Sequence, residues 1–535
     1  MKRILLNIVI LSLAITSFAQ NLSILDPISL RNYEKESLLN NKIHSSIKSY
    51  YYSDLQDSLY FKLDKEKSVF LYFWESKPKR KKLNFYASPN FEILGLFSPS
   101  QQANNYGINS NLGGLLEFTI DSKLGISYNL NAWYLSETPS YVFKDYANSR
   151  IYYNLGRSIL QNRNILFENN LRITYSPYDF FRLELGNGKN FYGDGYRSFL
   201  LSDFASNYPY LKLETSFLSI KYSSIWAVHQ DMGSIIPETG HLKTENKFDV
   251  FHFLDWKIGN YVNLGLFEAI ISSKQKFFSL EYFNPIIFFR PVEFSLGSED
   301  NALLGINLKV KINKNNFIYS QFVIDDIIVT QLINDIKHNI NPNYSGEYGW
   351  FANKWAAQIG FKSYDIFKLK NLDFFTEINI ARPYIYSHVH TNQNYSHLWQ
   401  ALAHPLGGNF IESVTGLRFY GEKFIIDTKF MYAKIGRDGI NTHFGSNIFQ
   451  ATMDGVQGYP YIVNSYGNTI LQGISTNNIS FIVDFAYSLL KNKNLFANIS
   501  LIYRAVDYNL DSSKNEFYIC FGIKSNLYNK KSLLY

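Results

Sequence analysis

Between Ile479 and Leu489 the chain reads Ile-Ser-Phe-Ile-Val-Asp-Phe-Ala-Tyr-Ser-Leu, so that apolar side chains recur at every second position. Successive side chains of a β-strand point to opposite faces, and this alternation therefore predicts a strand with one apolar and one more polar face. The pattern recurs at Leu124–Tyr134, at Phe424–Tyr432 and in shorter runs towards the C-terminus. With a few flanking residues, each run approaches the ~9–11 residues that a tilted strand needs to cross a bilayer.

The connections between these runs fall into two classes. Ser176–Asp179 and Tyr420–Lys423 are tight polar turns, whereas Gly186–Tyr210 is long, aromatic and rich in glycine. Short turns on one side and long loops on the other are typical of outer-membrane barrels. Roughly 450 residues at about 25 residues per strand give about 16–20 strands. The predicted fold is an all-β, transmembrane, antiparallel outer-membrane β-barrel, and a soluble sandwich or propeller is the alternative.

The composition agrees with a barrel. The 535 residues include 41 Tyr, 44 Phe and 7 Trp, yet the mean hydropathy is only −0.16. Aromatic girdles at both membrane interfaces would account for the Tyr and Phe, and alternation of lipid-facing and lumen-facing residues would account for the hydropathy. The single cysteine, Cys520, cannot form an internal disulfide and is predicted to be a small strand residue. The sequence predicts no cofactor.

The N-terminal region differs from the rest. Met1–Arg3 is basic, Ile4–Ile15 is apolar and Ser17–Ala19 is a small-x-small site, which together predict a secretory signal peptide over residues 1–19. Export makes nucleic acid an unsuitable partner. Residues 20–83 are predicted to form a small α/β periplasmic extension or plug, with a short helix within Arg31–Lys48, ahead of a barrel over residues 84–535. The basic run Lys77–Lys82 is interpreted as a solvated linker or as a contact with anionic lipid or lipopolysaccharide.

The segment Gly186–Tyr210 is too long and too rich in functional groups for a hairpin turn. It lies between two alternating runs and carries four glycines, several aromatic residues and the charged Asp194, Arg197 and Asp203. Loops held by a rigid scaffold often carry function. The segment is predicted either to bind a ligand or to be an ordinary, well-packed loop.

A second candidate segment runs from Arg382 to His404 and contains four histidines in seventeen residues. His388 and His390 would share one face of a strand, which could suit a metal, but no cysteine lies nearby. A sugar-binding or self-packed loop is favoured over a metal site, and a His-based hydrolase is the weakest alternative. The acidic pairs at residues 299–300 and 325–326 are interpreted as lumen charges that pair with Arg197, Arg290 or Arg382.

These segments resemble a known family. Gly186–Asp203 and the following Asn-Tyr-Pro-Tyr are similar to the RemB gliding-motility proteins of the Bacteroidetes, which are in turn similar to Wzi-type capsule assembly proteins of the outer membrane. The similarity continues in further motifs: Asn284–Phe288, Leu296–Ser298, Asp300–Gly305, Tyr348–Trp350, Ala352–Lys354, Arg382–His388, Ala403–Asn409 and Phe444–Asn447. The resemblance implies a barrel near the middle of the strand range and a surface-polysaccharide role in motility or capsule assembly.

Two functions therefore compete. In the first, a non-enzymatic barrel in the cell outer membrane binds or retains capsule or exopolysaccharide through surface loops, and contacts lipopolysaccharide and other motility or capsule proteins. In the second, the barrel is a transport channel with an open lumen. The residues predicted to bind polysaccharide are the aromatic, charged and histidine residues of the two segments: Tyr192, Asp194, Tyr196, Arg197, Asp203, Arg382, Tyr384, His388, Tyr395, His397, Trp399 and His404.

Overall fold

The chain folds around a closed barrel of 18 antiparallel strands. The computed structural model describes residues 27–40, 43–48, 50, 72–76, 83–100, 103–121, 123–136, 143–146, 149–153, 155–157, 164–235, 242–272, 300–341, 343–440, 442–452, 463–490, 495–508 and 513–525. The predicted signal peptide and the run Lys77–Lys82 lie outside these residues. Closure leaves no free strand edge in the ring, so the backbone groups along the wall are paired within the sheet.

The barrel strands are labelled in chain order. They are β1 Leu83–Ser100, β2 Ala103–Ile120, β3 Leu124–Leu135, β4 Ile165–Tyr178, β5 Phe181–Gly188, β6 Tyr208–Phe217, β7 Ile220–Ile235, β8 Leu242–Ile258, β9 Val262–Ser272, β10 Asn301–Lys311, β11 Asn316–Asp326, β12 Lys354–Ser363, β13 Leu372–Ala381, β14 Phe410–Tyr420, β15 Phe424–Arg437, β16 Ile474–Ser488, β17 Phe496–Tyr508 and β18 Lys514–Lys524. Each strand pairs with the next, and β18 pairs with β1 to close the ring. The predicted all-β barrel and its strand range are confirmed.

A few smaller elements accompany the barrel. Helix α1 spans Pro27–Ser37, so the predicted N-terminal helix exists but ends before Ile43; helix α2 spans Val329–Ile340. The short strands are Ile47–Lys48, Tyr72–Ser76, Phe143–Tyr146, Ser149–Tyr152, Gly156–Arg157, Phe191–Tyr192, Ser396–His397 and Gln400–Ala401, and the 3₁₀ turns are Ile366–Lys368 and Thr391–Gln393. No helix within the described ranges has the length and apolar character to span a membrane.

The two ends of the barrel differ. At one end, called the short-turn end, two to four residues join β2 to β3, β4 to β5, β6 to β7, β8 to β9, β10 to β11 and β14 to β15. At the other, called the long-loop end, most connections are long: 136–164, 189–207, 273–300, 327–353, 382–409 and 438–473. This is the asymmetry that the sequence predicted.

The outer wall is apolar although it is exposed. In β16, Phe481 is 46% exposed while its neighbours Ser480 and Ile482 are buried. Exposed apolar side chains of this kind surround the ring and include Ile108, Leu112, Phe167, Ile306, Ile359, Ile378, Leu501 and Phe521. A belt of this extent is far larger than the apolar patches of soluble monomers and suits contact with lipid chains.

The hydrophobic core lies inside the ring. Buried side chains of the wall, such as Phe253 and Val323, pack against Tyr192 and Leu200 of the 189–207 connection and Tyr395 of the 382–409 connection. Helix α1 and residues 43–48 pack against lumen-facing wall residues from the short-turn end. The lumen is therefore occupied from both ends by folded segments.

The apolar belt makes a testable prediction about Phe481, which lies midway along β16. Replacing it with arginine should reduce the free energy of folding into vesicles by about 2–4 kcal/mol, because a charge would face hydrocarbon near mid-bilayer. Urea titration of the vesicle-folded protein measures this. Glu422→Arg, in the turn 421–423, is the control and should change stability little; equal effects would contradict a lipid-facing belt.

Candidate functional site

The 189–207 connection folds into the lumen and pairs there with the N-terminal segment. Ile47 and Lys48 form a two-residue antiparallel ladder with Tyr192 and Phe191. Gly193, at φ +131°, follows the ladder, and an added Cβ would lie 2.1 Å from Nε2 of Gln321. Only glycine fits this close approach.

Asp194 is the charged centre of this junction. Its carboxylate accepts hydrogen bonds from Ser45 Oγ at 2.8 Å and Asn307 Nδ2 at 3.2 Å, and Lys309 Nζ lies 3.2 Å away. Burial acts to raise the pKa of Asp194, but Lys309 and the two hydrogen bonds outweigh it and hold the pKa below its usual value. The ionised carboxylate thus joins the inward loop, the N-terminal segment and the wall.

Arg197 is held by acidic groups of the barrel wall. Its Nε lies 3.7 Å from Oε1 of Glu412, and both side chains are almost fully buried. The backbone N–H groups of Tyr196 and Arg197 donate to the carboxylate of Glu377 at 2.8 and 3.0 Å. The sequence suggested that the acids at residues 299–300 and 325–326 pair with Arg197, Arg290 or Arg382; Glu299 and Arg290 lie outside the described residues, and the structure places Glu412 beside Arg197.

His404 shares Glu412 with Arg197. Its Nε2 lies 2.7 Å from Oε2 of Glu412, and its ring stacks on Phe199 at 5.3 Å. Burial lowers the pKa of His404 although Glu412 acts to raise it. His404 therefore connects the 382–409 connection to the 189–207 connection and is fully buried.

Buried tyrosines fasten these two connections together. Tyr386 OH donates to the carbonyl of Phe199 at 2.8 Å, and Tyr395 OH donates to the carbonyl of Leu200 at 2.6 Å. Tyr192 OH lies 2.9 Å from Ser223 Oγ in the wall. Tyrosine fits here because its ring fills apolar space while its hydroxyl satisfies a backbone group.

The first half of the 382–409 connection is irregular. Residues 382–395 form turns and a 3₁₀ turn, so the predicted strand carrying His388 and His390 was wrong. His388 is half-buried and His390 is exposed. Arg382 pairs with Asp335 at 2.7 Å, an acid that the sequence did not suggest, and Asp325 accepts the N–H of Tyr386.

Tyr384 is buried as well, and its hydroxyl donates a hydrogen bond to the carbonyl of His443 at 2.8 Å.

Within the described ranges, no group of three or more His, Cys, Asp or Glu side chains is arranged to hold a metal ion.

The long-loop end presents half-exposed aromatic rings. A hairpin pairs Ser396 with Ala401, and its two turn residues, Leu398 and Trp399, have φ of +48° and +56°. Such turns favour Asn or Gly, and bulky residues there carry about 1–3 kcal/mol of strain each. The half-buried ring of Trp399 stacks on Phe449 at 6.2 Å. A second half-buried pair, Tyr153 and Phe204, adjoins Asp203, which is half-buried too.

A recess lies at the short-turn end, and the sequence did not predict it. It is a cavity of about 110 Å³ between α1 and the wall, and it is lined by charged and aromatic residues: Arg31, Glu34, Lys48, Tyr196, Lys362, Tyr364, Asp373, Phe375, Arg418 and Tyr420 among others. Arg31 contacts Asp373 at 2.6 Å. No local pattern could reveal this cavity, because its walls come from segments more than 300 residues apart.

Comparison with known proteins supports the fold. No protein-family model and no curated protein matches the chain. Among solved structures, the chain resembles Wzi, an outer-membrane protein involved in group 1 capsule assembly in Escherichia coli and described as a carbohydrate-binding β-barrel. The TM-score is 0.50 at 12% identity, over 81% of this chain and 83% of that chain. At this identity the likeness shows the fold.

Two further solved structures align at lower scores. OccAB2 of Acinetobacter baumannii has a TM-score of 0.43 at 8% identity, over 83% of this chain and 98% of that chain. OccK8 (OprE) of Pseudomonas aeruginosa has a TM-score of 0.42 at 6% identity, over 82% of this chain and 97% of that chain. The fold assignment rests on the closed ring of strands and on the likeness to Wzi: the chain has the fold of an outer-membrane β-barrel.

Removing Asp194 should undock the N-terminal segment. Asp194→Ala leaves Lys309 buried without its carboxylate, which costs about 3–5 kcal/mol of docking free energy. We expect faster amide hydrogen exchange at Gly193, whose N–H donates to the carbonyl of Ser46 at 2.7 Å, while the barrel strands stay protected. Asp203→Ala, in the same connection but half-buried at the long-loop end, is the control. Unchanged exchange in Asp194→Ala would contradict a docking role.

Acidification should loosen the inward loops. His397 Nδ1 accepts the N–H of Gln230 at 3.0 Å, and burial, followed by His229 and Lys247, lowers the pKa of His397 well below its usual value. The unfolded loop therefore binds a proton more readily, so docking is fully stable above pH ~6.5 and loses stability as the pH falls below it.

Limited proteolysis of the 382–409 connection at about pH 7.5 and about pH 5 measures this loss. Burial also lowers the pKa of His388, to about 4, so part of the effect remains when His397 alone is changed. His397→Gln keeps an acceptor for Gln230 and should reduce the dependence on pH. A variant with the full wild-type dependence would exclude His397 as the group responsible.

Proposed function

We propose that this protein is a non-enzymatic outer-membrane β-barrel that binds or retains surface polysaccharide, such as capsule or exopolysaccharide. The observation that carries the proposal is the occupied lumen. Loops from one end and the N-terminal segment from the other meet at Asp194, where Ser45 and Lys309 contact the same carboxylate. A barrel filled in this way offers its long-loop surface, rather than a pore, as the working part.

The exposed apolar face of the barrel wall supports a location in the outer membrane. An apolar belt around a closed ring requires lipid, and the short-turn and long-loop ends match the periplasmic and extracellular sides of outer-membrane barrels. Of the predicted periplasmic extension or plug over residues 20–83, α1 then closes the lumen from the periplasmic side. The lipid and lipopolysaccharide of the outer membrane are the surrounding partners.

The polysaccharide assignment is supported by two resemblances. The motifs of Gly186–Asp203 and Arg382–His388 resemble RemB-type motility and Wzi-type capsule proteins, and the fold resembles Wzi, which is described as carbohydrate-binding. A surface glycan contact would serve capsule assembly, adhesion or gliding motility alike. We place the protein in this group, with other motility or capsule proteins as partners.

Among the twelve sugar-binding candidates, accessibility separates two roles. Trp399, Asp203 and His388 are half-buried at the long-loop end, where aromatic rings can stack on sugar rings and a carboxylate can accept hydroxyl hydrogen bonds. Tyr196 is half-buried too, but it lines the cavity at the short-turn end. The other eight candidates are buried and hold the inward loops in place: Tyr192, Asp194, Arg197, Arg382, Tyr384, Tyr395, His397 and His404. The strained turn at Trp399 fits a functional position, because its conformation costs stability.

Trp399→Ala tests this proposal. Loss of one stacking ring should weaken polysaccharide binding about 10-fold, measured as glycan retained on cells and by the purified barrel. Trp256→Ala makes the same change on the lipid-facing wall, where Trp256 is exposed, and should retain full binding. Heat-modifiable gel mobility confirms that both variants fold. Wild-type retention by Trp399→Ala would exclude this ring as the contact.

Planar bilayers distinguish the channel function. The intact chain should show almost no conductance, because α1 and the inward loops occupy the lumen. Stable single-channel steps from the wild-type protein would favour transport over retention.

A further inference from the structure

The apolar face of helix α2 is exposed instead of packed against the protein. It lies in the 327–353 connection at the long-loop end, and its sequence places apolar residues three to four apart at Val329, Ile333, Ile336 and Ile340. This spacing forms one stripe along the helix. All four side chains are exposed, with Val329 at 64% and Ile340 at 79%. An amphipathic helix normally buries such a stripe.

The polar face of α2 is the face that contacts the protein. Asp335 pairs with Arg382 at 2.7 Å and accepts the N–H of Gly349 at 2.6 Å. His338 stacks flat on Tyr348 at 3.4 Å. These contacts set the rotation of the helix, because residues 335 and 338 lie on the side opposite the stripe at 3.6 residues per turn.

Two further hydrogen bonds hold α2 to the residues that follow it in the connection. Asn353 Oδ1 accepts the N–H of Ile328, just before the helix, and Asn334 Oδ1 accepts the hydroxyl of Tyr344 beyond its C-terminus. Because these bonds hold the polar side against the rest of its own connection, and Asp335 joins it to Arg382, the outward stripe is built into the fold.

The stripe continues the apolar belt of the wall. Strand β11 presents Phe322 outwards, at 38% exposure, and its ring lies 6.1 Å from Trp355 of β12. Trp355, whose register partner on β11 is Ile324, is of a residue type that is enriched at the membrane–water boundary. The exposed Ile328 follows within six residues, and α2 begins at Val329. The helix therefore starts at the height of the boundary.

We propose that α2 is an interfacial membrane helix, whose stripe of Val329, Ile333, Ile336 and Ile340 inserts between the acyl chains of the outer leaflet. The proposal rests on the membrane location given above. Lipid is the occupant because the stripe is continuous with the lipid-facing wall, and helices of this type bury their apolar face about 5–10 Å into the headgroup–acyl boundary. Arg382, through Asp335, is the residue that positions the helix.

Single-cysteine labelling tests the insertion. In a Cys520→Ser background, an environment-sensitive fluorophore is attached at Ile333→Cys or Ile336→Cys, and the barrel is folded into phosphatidylcholine–phosphatidylglycerol vesicles. Ser345→Cys, at an exposed polar residue of the same connection, is the matched control. Leu501→Cys, on the exposed wall of β17, reports membrane insertion of the barrel itself.

The stripe labels should show blue-shifted emission and be quenched most by a nitroxide near the lipid headgroup, whereas Leu501→Cys should be quenched more by a deeper nitroxide. Ser345→Cys should be quenched only by aqueous iodide. Two results would overturn the proposal. The stripe labels could be quenched by aqueous iodide, or a second copy or another protein could shield them from iodide and from the lipid nitroxides alike. If Leu501→Cys also escapes lipid quenching, the membrane location fails rather than the helix assignment alone.

Discussion

The buried ion pair of Asp194 and Lys309 is the contact on which the interior depends. Lys309 belongs to the wall, Asp194 to the loop from the long-loop end and Ser45 to the segment from the short-turn end, and all three meet within hydrogen-bonding distance. A buried charge is costly unless it is paired and hydrogen-bonded, so each partner needs the other two in place. Docking of the loop and docking of the N-terminal segment are therefore coupled.

The same segment is anchored a second time. Lys257 donates to the carbonyls of Ser37 and Asn40 at the end of α1, where a cation also interacts favourably with the helix dipole. Arg31, near the start of α1, forms two ion pairs with Asp365 and Asp373 at the short-turn end. The apolar side chains on the outer face of the wall face away from the lumen. The core is therefore formed by buried wall residues together with the enclosed segments, and the contacts of Lys257 and Arg31 hold α1 against it.

The sequence predicted the wall far better than its contents. Alternation in Ile479–Leu489 is a local signal with a period of two, and lipid-facing and lumen-facing residues obey it along a whole strand. The contacts inside depend on residues distant in sequence: Ser45 with Asp194, Arg31 with Asp373. No spacing rule connects such residues, so the docking of the N-terminal segment and the cavity beside α1 could not be derived.

The roles of the two loops could not be assigned from their composition, for one physical reason. Tyrosine and histidine suit a glycan-binding surface, but they also suit a buried loop, where a ring fills space and a hydroxyl or nitrogen satisfies the backbone. Tyr386 and Tyr395 do the latter by donating to Phe199 and Leu200. Composition alone does not separate the two uses; accessibility does.

Trp399 differs from the buried candidates because its ring is half-buried at the long-loop end. His397 and Gln400 on either side of the turn are buried, yet Leu398 and Trp399 adopt a strained conformation that holds this ring at the long-loop end. His397, two residues earlier, is buried and accepts the N–H of Gln230, so the hairpin is anchored to β7 at the point where it projects. The buried residues thus form a rigid base beneath a half-buried ring, and rigidity limits the entropy lost when a flexible polysaccharide binds.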